Sequence, residues 1–79
     1  MGRILRRGGR VETEIWESDP FTAKKQDLLA SFTSDYRFQK NDEVYIHQGQ
    51  RTVKVRIIDV RVHLHDGGRL TREVLAIKL

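Results

Sequence analysis

The sequence predicts a single small α+β domain: an antiparallel β-meander, open or partly closed into a barrel, joined to one N-terminal strand and one helix. Three observations lead there. Apolar and polar residues alternate through most of residues 43–64, the two-residue period of a half-buried strand. A proline-led stretch over residues 20–31 spaces its apolar residues at helical intervals instead. The chain has 79 residues and no cysteine, so it is expected to form one core, stapled by neither disulfide nor thiolate metal site. Folding at this length buries about 60% of the unfolded surface.

Residues 1–10 carry Arg3, Arg6, Arg7 and Arg10 with no acid, and Gly8 and Gly9 stand between arginines. They are expected to form a flexible basic arm, with the folded domain over residues 11–79. Ile4 and Leu5 fall far short of a signal peptide or a membrane span, and Arg6 stands where a myristoylation pattern needs Ser or Thr. A cytoplasmic protein without membrane contact is expected.

"RVETEIW" alternates, with Val11, Thr13 and Ile15 on one side, and predicts a short strand. In "SDPF", Ser18 or Asp19 can cap the free amides of a helix whose first position is Pro20. Phe21, Leu28 and Phe32 then share a helical face with Leu29 beside them, so a helix from Pro20 to Ser31 is expected. Tyr36 and Phe38 suggest a brief edge segment inside the following connection. "EVYIH" faces Val44 and Ile46 inward, "QGQR" turns the chain, and "TVKVRI" faces Val53, Val55 and Ile57 inward.

In "IDVRVHL" the apolar parity changes from odd to even, at Ile58, Val60, Val62 and Leu64. A straight strand from Arg51 to His65 would run about 46 Å, against a width of about 30 Å for a compact chain of this length. A β-bulge at Ile57 and Ile58 would both bend the strand and correct the parity. The last strand, "RLTREVLAIKL", favours Leu75, Ile77 and Leu79 inward, although Val74 and Ala76 compete. "FQKNDEVYI" resembles the opening strand of SH3-like small barrels, where an acidic turn precedes alternating apolar residues. Asn41 stands where such barrels often have glycine. The resemblance spans residues 38–46 and implies a partly closed barrel shape.

Charge is arranged in blocks: +4 over residues 1–10, −4 over residues 11–50 and +4 over residues 51–79. Two basic regions suggest contact with nucleic acid. One is the arm, whose "RRGGR" resembles a fragment of an arginine-glycine tract that binds phosphates by charge. The other is the strand face left to solvent by the apolar residues, with Lys54, Arg56, Arg61 and His63, and Tyr45 beside Lys54 as a stacking platform. Pairing of Glu12, Glu14 and Glu17 with this face would cover it.

The alternative is a protein-interaction module, a homodimer or adaptor joined through a free sheet edge near Val11 or Leu79. His63 and His65 lie on one strand face, but a metal site needs a third ligand. His47 lies too far along the strand and Asp66 is explained by the turn, so no metal is expected. Ser18, Ser31 and Ser34 lack a nucleophile context, neither "RGGR" nor "DGGR" has phosphate-loop spacing, and Asp59 and Glu73 suit surface ion pairs. No catalytic residue, cofactor or small-molecule substrate is expected.

Overall fold

A computed structural model describes residues 10–79. Five strands form one sheet in the order β2-β1-β5-β4-β3: β1 (Val11–Ser18), β2 (Lys25–Ser34), β3 (Glu43–Gln48), β4 (Arg51–Leu64) and β5 (Leu70–Lys78). The sheet curls into a half-barrel. All pairings are antiparallel except β1 with β5, which run parallel. No helix among the described residues is long and apolar enough to cross a membrane.

The expected helix over residues 20–31 is absent, and the fold is β rather than α+β. The capping signal itself is genuine. Asp19 Oδ1 accepts from the amides of Phe21 (2.7 Å) and Thr22 (3.1 Å), and the Ala23 amide donates to the Asp19 carbonyl (3.0 Å). One turn forms, and Ala23, at φ 59°, ends it. The chain continues as β2 because β1 offers an unpaired ladder along its whole length, and tertiary pairing overrides local propensity. A register shift opposite Ile15 and Trp16 pairs Ala30 with Ile15 but Leu28 with Trp16, skipping Leu29. That irregularity gave Leu28, Leu29 and Phe32 their helix-like spacing; Phe21 is 95% exposed and belongs to no apolar face.

The parity change in β4 is a bulge, as the sequence suggested: Ile57 pairs with Ala76 and Asp59 with Leu75, so Ile58 is the extra residue. Val55 and Ile57 before it and Val60 after it face the same side. That side holds the core, in which Ile15, Val55, Ile57, Val74 and Ala76 are fully buried under Leu29, Ala30, Phe32, Phe38, Val44, Ile46 and Val53. The preferred inward set of the last strand is therefore corrected. Val74 and Ala76 enter the core because they stand beside Ile15, Val60 and Ile57, whereas Leu75 is buried on the opposite face next to Trp16. Burial on both faces of a central strand removes the alternation that the sequence would need to reveal its register.

The two outer strands meet at one end only, where Gln48 Nε2 donates to the Leu29 carbonyl left over by the irregularity in β2 (2.8 Å). Residues 35–42 cross that opening without forming the expected edge segment. They are held by the Asn41 amide to the Ile57 carbonyl (2.7 Å) and the Ile57 amide to the Asp42 carbonyl (2.8 Å). Asn41 has φ 78°, a left-handed conformation that asparagine tolerates better than most side chains. At the other end the β4–β5 hairpin projects, and the molecule is 44 Å along its longest axis. Among the described residues the edge strands are β2 and β3; Val11 begins β1 and Leu79 follows β5, both strands in the middle of the sheet, so they do not supply the edge suggested from the sequence.

Ile57→Ala removes a side chain with no exposure and should lower unfolding free energy by about 2–5 kcal/mol. Leu64→Ala, in the projecting hairpin, should change it by no more than about 0.5 kcal/mol. Urea denaturation of both variants checks the contrast.

Candidate functional site

The outward face carries the basic residues expected there, and each has an acid beside it. Tyr45 pairs with Lys54 across β3 and β4, and Lys54 Nζ lies 5.5 Å from the Tyr45 ring centre. Glu43 takes Lys54 Nζ on one carboxylate oxygen (3.2 Å) and Arg56 Nη2 on the other (3.3 Å). Hydrogen bonds from Lys54 and then Arg56 hold Glu43 below the usual carboxylate range, and Glu43 with Tyr45 raises Lys54. Past the bulge, Arg61 Nε reaches Asp59 Oδ2 (3.1 Å) and His63 Nε2 reaches Glu73 Oε1 (3.0 Å). The acids that neutralise this face are not the Glu12, Glu14 and Glu17 group anticipated from the sequence. Glu12 meets Arg69 (2.6 Å), Glu17 meets Lys78 (3.4 Å) and Glu14 accepts from Trp16 Nε1 (3.1 Å).

Of the arm, Arg10 alone is described, and its Nη2 donates to the Thr33 carbonyl (2.7 Å). Arg3, Arg6 and Arg7 lie outside the described residues. Of the fifteen basic and eleven acidic residues, those three arginines fall in residues 1–9 and no acid does. Residues 10–79 thus carry a formal charge of only +1.

The histidine pair is committed to neighbours. His65 Nε2 contacts Thr71 Oγ1 (2.8 Å), and His63 shares Glu73 with Lys25, whose Nζ also lies 4.8 Å from the Trp16 ring centre. No group of three metal-ligating side chains occurs among the described residues. The stretch after them closes the hairpin. The His65 amide donates to the Arg69 carbonyl (2.8 Å), and Gly67 and Gly68 both take φ 86°, a region that residues with a Cβ rarely enter.

The concave face holds what the sequence did not suggest. Val62 pairs with Arg72 and Leu64 with Leu70, so these four side chains continue the core-facing stripe beyond the core itself. Val62 is 59% exposed, Leu64 73% and Leu70 44%, whereas Arg72 is buried at 7%. The Arg72 guanidinium donates from Nε (3.1 Å) and Nη2 (2.8 Å) to Thr13 Oγ1, and from Nη2 to the Ser34 carbonyl (3.4 Å). The Phe38 ring lies 5.2 Å from its Cζ, and Phe38 in turn meets Phe32 and Tyr36 edge-on. Burial pushes the Arg72 pKa down. Arg72 shares parity with Val74 and Ala76, so reading the last strand in its even register would have exposed it as an inward cation.

Glu73 is held below the ordinary carboxylate range, first by the Lys25 hydrogen bond and then by that of His63. A depressed carboxylate contributes its stability above the ordinary range and loses it as pH falls through its lowered value. Glu73→Gln should therefore lower the melting temperature at neutral pH and flatten its decline on acidification; melts between neutral and strongly acid pH check this.

In comparisons with known proteins, no family model, curated protein or solved structure matches this chain.

Proposed function

We propose that this chain is a small non-enzymatic binding module, SH3-like in its barrel shape, that takes a polypeptide partner on the concave face at the projecting end. The observation that carries this reading is the placement of Val62, Leu64 and Leu70. Scattered surface leucines are ordinary. Here three aliphatic side chains form two adjacent cross-strand positions on the face that elsewhere builds the core. Contiguous exposed apolar surface rimmed by polar groups is the usual mark of a protein contact. β2 and β3, the edge strands among the described residues, add a second route, by strand addition.

Photocrosslinking tests this. A photoreactive residue at Leu64 should give one discrete adduct in cells, lost with Val62→Ser and Leu70→Ser and resistant to nuclease. The same residue at Asp27, exposed on β2, should give none. An adduct of twice the chain mass identifies a homodimer, and absence of any adduct removes the reading.

A second reading, contact with single-stranded nucleic acid, is favoured by one observation: Tyr45 is 55% exposed with a cation against its ring. Glu43 opposes it, since phosphates would compete with that carboxylate for Lys54 and Arg56. Affinity for an oligonucleotide should then fall steeply with salt. It should weaken about tenfold in Tyr45→Ala and strengthen in Glu43→Gln. Binding unaffected by all three removes this reading.

A further inference from the structure

We infer that Arg72 is the anchor for a carboxylate side chain of the partner, so that the concave site selects extended segments in which an acidic residue stands two positions from an aliphatic one. This rests on the polypeptide-binding reading above and specifies the partner's chemistry.

Arg72 is the most buried of the charged side chains described, and it makes no ion pair among the described residues. Its partners are a threonine hydroxyl, a peptide carbonyl and a phenyl face, all neutral. A guanidinium offers five N–H donors in a planar fork. Here Nε and Nη2 are engaged, while Nη1 has no hydrogen-bond partner among the described residues. A buried cation without an anion is costly, and an apolar side chain of similar volume in its place is often neutral or stabilising. Of the other cations, Lys25, Lys54, Arg56, Arg61, Arg69 and Lys78 have carboxylates, while Arg10, Lys24, Arg37, Lys40 and Arg51 make no ion pair among the described residues but remain exposed to water. The one cation lacking a carboxylate and buried in the sheet borders the exposed aliphatic patch.

The register sets the spacing. Arg72 pairs with Val62 and Leu70 with Leu64, so the cation and the aliphatic pair are two residues apart along the same strands, about 7 Å. An extended partner laid along the face repeats that interval between side chains on one of its sides. A carboxylate there gains a charge-assisted, geometrically specific contact with the guanidinium fork. Residues 1–9 include Arg3, Arg6 and Arg7 and no acid, so the chain's own N-terminal segment holds no counter-charge for Arg72.

The test uses the full chain and an array of acetylated, amidated peptides Thr-X-Thr-Leu-Thr-Leu with X varied over all residues. Asp or Glu at X should bind about tenfold better than Asn or Gln. Arg72→Met should erase that preference while leaving the dependence on the leucines, with an unchanged or raised melting temperature; Arg72→Lys should retain part of the preference. Equal binding of Asp and Asn peptides to the unaltered chain overturns the inference, and decides alone if Arg72→Met does not fold. Leucine-dependent binding without acid preference removes only the role of Arg72. Indifference to the leucines, in the unaltered chain and in Val62→Ser, removes the polypeptide site itself. Mutual association of the chains, competing with the peptides, assigns the patch to a second copy and overturns the acidic partner.

Discussion

The bulge at Ile58 is the constraint on which the rest of the structure depends. β4 contributes to the core through Val55 and Ile57 and to the projecting hairpin through Val62 and Leu64, and only an extra residue between them keeps all four on the same face. A regular strand would turn Val60, Val62 and Leu64 toward the side of Asp59, Arg61 and His63. The bulge also bends the longest strand, which allows the sheet to curl until β2 and β3 meet at Gln48.

Curling closes one end and leaves the other open. At the closed end, Phe32 and Phe38 cover the aliphatic core and residues 35–42 complete the cover. At the open end, β4 and β5 extend beyond any covering element among the described residues, and the apolar stripe goes on with Val62, Leu64 and Leu70 exposed. The same alternation that stabilises the core thus produces an exposed patch. Folding alone gives no return for aliphatic side chains left in water; under the proposed reading, association would bury them.

Electrostatics divides along the same line. On the convex face, oppositely charged side chains sit at neighbouring strand positions and largely cancel; exposed pairs of this kind contribute only about 0.2–1 kcal/mol each. Their greater effect is on the local field, where a carboxylate stands beside each of these cations; the formal charge of +1 on residues 10–79 comes from composition, since three of the arginines lie in residues 1–9. On the concave face, Arg72 has no carboxylate partner among the described residues, where screening by water is weakest. The Thr13 hydroxyl and the Phe38 ring hold the guanidinium in place without neutralising it.

By itself the sequence determined the strands of the meander, the turn at Gly49, the hairpin end at Gly67 and Gly68, and the bulge between Ile57 and Ile58. All of these leave a local mark, through period-two alternation or a turn residue. It also placed Tyr45 beside Lys54, because antiparallel register follows from a short turn. Only the tertiary structure decided that residues 25–34 are a strand, because the unpaired ladder of β1 outweighs a helical spacing that an irregular strand reproduces. It alone set β1 parallel to β5, and so buried Val74, Leu75 and Ala76 together. That contact joins residues nearly sixty positions apart, and a strand buried on both faces carries no alternation to announce it. Arg72 was hidden for the same reason: a cation in a basic stretch looks solvated until its neighbours across the sheet are known.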